Sequence, residues 1–147
     1  MNRTSATRTD AERFTWHLDP DLEAVPIARR AFEAWLRGSH VVDDDVHDLA
    51  VVLSELAANA ANGATPGTQA RIEAHIEVRT DHRDLHLDVA NHVDPATAEV
   101  RRWDLDDELR GGGRGLLIVR AYTDSMDIDT DGSQVWVRCT RRLERMA

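Results

Sequence analysis

The chain contains no lysine and only one cysteine. Its 147 residues carry 18 basic side chains, all arginine, against 27 acidic ones, for a net charge of −9. Without lysine, a phosphate group could be held only by arginine, by backbone N–H groups or through a metal ion, which excludes a lysine-dependent P-loop. An acidic chain also lacks the basic face that nonspecific nucleic-acid binding requires, so we expect no direct contact with nucleic acid.

Two further absences bear on the compartment and on the domain organisation. The single Cys139 cannot form an internal disulfide, so the fold needs no oxidising compartment. No apolar run reaches the length of a membrane span, and the polar residues from Met1 to Asp10 do not form a signal peptide. We therefore predict a cytoplasmic protein without membrane contact, with a flexible tail over 1–12 and a single domain over 13–147.

The hydrophobic periodicity predicts the element order β-α-α-β-β-loop-α-β-β. Strands are expected near residues 14–18, 72–78, 85–89, 125–129 and 134–142, helices near 22–36, 43–62 and 115–122, and a long loop over 91–113. This order is typical of an α+β fold, a two-layer α/β sandwich in which helices cover one face of a mixed, mostly antiparallel sheet.

A glycine-rich run directly precedes the last predicted helix. It consists of Gly111, Gly112, Gly113, Arg114 and Gly115, and Leu116 then begins an apolar stretch. Glycines permit close backbone approach, and the start of a helix presents unpaired N–H groups with a partial positive charge. The run can therefore form a seat for phosphate. The alternative is a flexible linker that precedes a helix.

The second predicted helix is apolar almost all round, except for one polar stripe. Glu55, Asn59 and Asn62 lie at positions i, i+4 and i+7, so they share one face of that helix. A buried carboxylate is costly unless it is paired or reaches water or a metal ion. Either these side chains satisfy nearby backbone groups, or the stripe lines a polar cavity. In such a cavity Asn59 could ligate Mg²⁺ and Glu55 could act as a general base.

Both segments resemble motifs of one family. The sequence Ser-Glu-Leu-Ala-Ala-Asn-Ala over 54–60 resembles the asparagine box of the histidine-kinase-like (GHKL) ATPases, in the form found in bacterial anti-sigma-factor serine kinases. The run 111–116 resembles the second glycine box of that family, and the strand order between the two motifs also fits. The resemblance extends from about Phe14 to Leu143, nearly the whole chain.

The resemblance implies an ATP pocket between the helices and the sheet, closed by the loop before the glycines. In the anti-sigma-factor serine kinases that the chain resembles, the γ-phosphoryl group of Mg-ATP passes to a serine of a small antagonist protein. Asn59 would then hold Mg²⁺, Glu55 would accept the serine proton, and Gly113 to Gly115 would seat the phosphates. A sigma factor or an antagonist protein is the implied partner, and a homodimer is compatible with this class.

Two departures from the family pattern favour an alternative function. Asn91 stands where the family has an aspartate that accepts the adenine amino hydrogen, and no glycine follows it. An asparagine carbonyl can still accept this bond, so we retain Asn91 as an adenine-binding residue. Asn62 and Gly63 stand where relatives often have a basic residue and a histidine. The alternative is a non-catalytic interaction module that keeps the fold with weak or absent nucleotide binding.

The seven histidines suggest no clear metal site. His82 and His86 are four residues apart, but a turn and a strand separate them. The cluster from His40 to His47 contains Asp43, Asp44 and Asp45, and negative charge at a helix start favours the helix dipole. We interpret this cluster as a helix start and not as a metal site.

Overall fold

A computed structural model describes residues 13–63, 67–92 and 114–145. The elements, numbered here in chain order, are β1 (Arg13–Leu18), a short 3-10 helix (Leu22–Ala24), α1 (Val25–Gly38), α2 (Asp43–Gly63), β2 (Ala70–Val78), β3 (Arg83–His92), α3 (Arg114–Ala121), β4 (Ser125–Asp131) and β5 (Gln134–Arg142). This order confirms the one predicted from periodicity. The predicted tail over 1–12 and most of the predicted loop over 91–113 lie outside the described residues.

The five strands form one sheet in the order β1-β2-β3-β5-β4. Its four described pairings are all antiparallel. The predicted fold class is confirmed, and the sheet is antiparallel where a mixed sheet was expected. The reason is that β5 lies between β3 and β4. These two strands run in the same direction, but they are not neighbours.

The helices cover one face of the sheet and close a single apolar core. Strand residues that alternate along β2 and β3, such as Ile72 and Leu87, are fully buried beneath α1 and α2. Cys139 on β5 is 2% exposed, as the alternating pattern predicted. The other face of the sheet carries the intervening polar residues, as expected for an antiparallel sheet with one solvated face. Among the described helices, none combines the length and hydropathy needed to cross a membrane.

A buried ion pair joins the start of α2 to the end of β5. Asp45 is 0% exposed and accepts hydrogen bonds from Arg141 Nη2 and from the backbone N–H of Glu144, each at 2.7 Å. Arg141 also contacts Asp48 at 2.8 Å and donates to the carbonyl of Tyr122 at 3.0 Å. Burial alone would lower the pKa of Arg141, but the two carboxylates raise it. The interpretation of the acidic cluster as a helix start is thus incomplete, because Asp45 pairs across the fold.

Candidate functional site

The polar stripe of α2 meets the start of α3. Gly115 lies so close to α2 that a Cβ atom added there would be 2.9 Å from Glu55 Oε2 and 3.7 Å from Asn59 Nδ2. A separation of 2.9 Å is well inside van der Waals contact for a carbon atom, so only glycine fits without movement of the carboxylate. Two segments about sixty residues apart in the sequence are therefore adjacent in the fold.

Packing of the apolar faces fixes this approach. Leu53 and Leu56 of α2 are at most 1% exposed, and Leu116 and Val119 of α3 are fully buried in the same core. Leu116 and Val119 are separated by three positions, so they place one side of α3 on the core. Gly115 is the residue just before this buried pair. The polar stripe of α2 then lies at the margin of the core.

Asn91 faces the helices from the end of β3. Its side chain is 6% exposed, and Asn91 pairs with Val135 of β5. It borders a narrow cavity with Asn59; the rest of the lining is apolar and consists of Leu56, Ala60, Val89, Val135 and Val137. The cavity measures about 10 Å³, the room of roughly one water molecule. Asn91 Oδ1 accepts no hydrogen bond from any residue that the structure describes, which leaves a buried acceptor open to a donor.

The remaining predicted residues have different positions. Asn62 is exposed in the last turn of α2 and does not border this cavity. The side chain of Leu116 belongs to the core, so only its backbone could meet a ligand. Arg114 begins α3, but its side chain lies outside the described part of the structure. Gly111, Gly112 and Gly113 lie wholly outside the described residues.

A groove between α1 and α2, which sequence reasoning missed, is also lined by Glu55. It has a volume of about 360 Å³ and is lined by Arg29, Glu33, His47, Ala50, Val51, Ser54 and Glu55. Arg29 Nε lies 3.5 Å from Glu33 Oε1, and Val51 is 40% exposed. Val51 was the available signal, since it interrupts the polar face that an ordinary surface helix presents there. Glu55 thus lies close to Gly115 and also lines an open groove.

Comparison with known proteins agrees with this architecture. Residues 18–140 match the family model of the histidine kinase-like ATPase domain, and the chain belongs to this family. The family resemblance predicted from the two motifs is therefore confirmed. Among proteins with curated functions, no sequence matches this chain significantly.

Two solved structures have a similar fold at low sequence identity. One contains the RsbU and RsbW domains of Rv1364c from Mycobacterium tuberculosis, with a TM-score of 0.66, 20% identity, and coverage of 92% of this chain and 33% of that one. This chain thus spans about a third of the length of that relative. The other is the SiaB-SiaC complex from Pseudomonas aeruginosa, with a TM-score of 0.60, 16% identity and coverage of 95% of both chains. At such identities the likeness shows the fold alone.

Proposed function

We propose that this chain is a cytoplasmic regulator that binds Mg-ATP between α2 and the start of α3. The single observation that carries the proposal is the close approach of Gly115 to the side chains of Glu55 and Asn59. The start of a helix favours phosphate oxygens, and an amide oxygen beside it is a ligand that Mg²⁺ accepts. When bound, Mg²⁺ would neutralise charge on the phosphates. Asn59 is the residue of this chain that would hold it.

The adenine would lie toward Asn91. The open acceptor Asn91 Oδ1 suits the adenine amino group, and Leu56 and Val89 supply an apolar wall for the ring. The cavity has room for only about one water molecule, so the ring can enter only when the walls move apart. Nucleotide binding therefore includes a change in the packing of α2 against the sheet.

We further propose that the bound nucleotide phosphorylates a serine of a partner protein. Glu55 would accept the proton of the serine hydroxyl as its oxygen attacks the γ-phosphorus and ADP leaves. Glu55 also lines the groove between α1 and α2, which would give the acceptor side chain a route to this carboxylate. The partner would be a sigma factor or an antagonist protein. The two similar structures support a partner, since one contains the RsbU and RsbW domains of one protein and the other is a complex of SiaB with SiaC.

A second candidate function is a non-catalytic interaction module. It is favoured by the small volume of the cavity and by Asn91, which stands where the family motif has an acidic residue. This module would keep the fold and the partner surface, but it would bind nucleotide weakly or not at all.

Calorimetry with Mg-ATP separates the two functions. We expect binding by the native chain, loss of binding in Asn59→Ala, and partial retention in Asn59→Asp, which keeps an oxygen ligand for the metal. Glu73→Ala is the matched control, because Glu73 lies on the other face of the sheet and pairs with Arg71 at 3.2 Å. Absence of heat and of any thermal shift at millimolar Mg-ATP would overturn the ATP site and support the module.

Phosphoryl transfer needs its own measurement. The native chain is incubated with γ-labelled ATP and candidate antagonist proteins, with Glu55→Gln as the test variant. Loss of a general base typically lowers the rate by about 10²–10⁴-fold, and we expect Mg-ATP binding to persist in this variant. Equal labelling by the native chain and Glu55→Gln would remove Glu55 from its proposed role.

A further inference from the structure

The solvent-facing side of the sheet carries a pair of stacked histidines. His75 on β2 lies directly opposite His86 on β3, and their rings are parallel to within 5° with centroids 4.5 Å apart. Both residues lie on the face opposite the helices, because their strand neighbours Ala74 and Leu87 are buried in the core. The pair is therefore separated from the candidate nucleotide site by the thickness of the sheet.

A carboxylate completes the cluster. Glu77 lies two positions beyond His75 on the same face, and its Oε2 is 3.5 Å from His86 Nε2. Its other oxygen is engaged by Arg79 Nη2 at 2.7 Å, and Arg79 Nε also lies 3.5 Å from Asp84 Oδ2. This contact orients the Glu77 carboxylate and leaves Oε2 toward the histidines.

The ring nitrogen of His86 is the least satisfied atom of the cluster. His86 Nε2 is shielded from solvent and forms no hydrogen bond with any described residue, since its contact with Glu77 is too long or too poorly aligned. One ligand atom from each of His75, Glu77 and His86 can be chosen so that all lie within 4.8 Å of one another. Within residues 13–63, 67–92 and 114–145, this is the one group of three such residues that meets this criterion.

We propose that His75, Glu77 and His86 form a surface site for a single divalent transition-metal ion of the Zn²⁺ type. Two imidazoles and one carboxylate suit Zn²⁺, Ni²⁺ or Cu²⁺, whereas Mg²⁺ and Ca²⁺ prefer oxygen ligands throughout. Metal–ligand distances near 2.0–2.1 Å place tetrahedral ligands about 3.3 Å apart. The three side chains must therefore draw together by about 1–1.5 Å, and their partial exposure allows rotation. Water would supply the fourth ligand.

The charges around the cluster are mixed. Asp84, Asp88 and Glu73 lie on the same outer face and favour a cation. Two arginines offset part of this attraction. Arg13 of β1 lies directly opposite His75 in the sheet, and Arg138 of β5 lies directly opposite Asp88. We therefore expect binding in the micromolar range rather than the tighter binding of an enclosed structural zinc site.

The test is a titration of tag-free protein with Zn²⁺ in competition with a chromophoric chelator. We expect one equivalent bound by the native chain, and an affinity at least about tenfold lower in His75→Gln, His86→Gln and Glu77→Gln, since even outer partners of metal ligands contribute 10–100-fold. His17→Gln is the matched control, because His17 is exposed on the same face but outside the cluster. Its affinity should equal that of the native chain.

Two further readouts keep the test independent of folding and of the proposed ATP site. Zn²⁺ should raise the Tm of the native chain and of His17→Gln but not that of His86→Gln, whose Tm without metal should stay near the native value. Co²⁺ should give visible bands typical of a tetrahedral site with nitrogen and oxygen ligands. Failure of the native chain to bind Zn²⁺, or equal binding by His86→Gln, would overturn the proposal and leave the ATP site untouched.

Discussion

Removal of the Asp45 carboxylate should destabilise the fold more than any other single change at the acidic start of α2. Asp45→Ala deletes two hydrogen bonds of 2.7 Å and leaves Arg141, whose side chain is 15% exposed, with a weaker set of partners. Breaking a buried ion pair by removing one partner typically costs about 3–5 kcal/mol. Asp48 and the carbonyl of Tyr122 still contact Arg141, so we expect a value near the lower end of this range.

Neighbouring acids provide matched controls. Asp44 lies in the same first turn but is exposed, so Asp44→Ala should cost only about 0.3–1 kcal/mol through the helix dipole. Asp48 is 34% exposed and contacts the same arginine, so Asp48→Ala should lie near 1 kcal/mol. The order of the three variants is therefore a sharper test than any single value.

Urea and thermal unfolding measure these differences. For a chain of this length each kcal/mol shifts the Tm by about 2–4 °C, so Asp45→Ala should lower it by roughly 6–12 °C for a loss near 3 kcal/mol. If Asp45→Ala and Asp44→Ala agree within 1 kcal/mol, the buried pair does not stabilise the fold and the reasoning fails. A Tm difference between the native chain and Asp45→Ala that shrinks strongly with added salt would also contradict the burial of the pair.

Three other outcomes are expected. Gly115→Ala should leave the free energy of unfolding unchanged or raise it by up to about 1 kcal/mol, since alanine favours a helix. The same variant should bind Mg-ATP more weakly in calorimetry, because its Cβ displaces the Glu55 carboxylate. A large loss of stability would contradict this expectation. Asn91→Asp should lower the Tm without ligand, because it buries an unpaired charge. It should also raise the affinity for ATP, because a carboxylate is a stronger hydrogen-bond acceptor than an amide. Unchanged affinity would remove Asn91 from adenine recognition. Burial raises the pKa of the Cys139 thiol to about 12 from 9.0, so iodoacetamide at mildly alkaline pH should label the unfolded chain but not the folded one. This raised pKa means that the stability contributed by the thiol is complete below pH 9.0 and is lost as the pH rises toward about 12, which unfolding curves at alkaline pH would detect.

Much of the fold could be predicted because its signals are local. Alternation along Ile72, Ala74 and Ile76 determines which face of β2 is buried whatever the strand pairs with. The polar stripe of Glu55 and Asn59 is likewise visible in the sequence, because helical spacing alone puts them on one face. The glycine-rich run predicted a close approach of the backbone to another group, but it did not identify the atoms that the backbone approaches.

Only the tertiary structure decided which distant groups meet. It brought Gly115 against Glu55, paired Asp45 with Arg141, and set His75 opposite His86. None of these contacts has a signature in a single sequence, because each depends on strand register or helix packing between segments far apart in the chain. The sequence determined which side chains face inward, and the way the layers pack then determined which of them can act together.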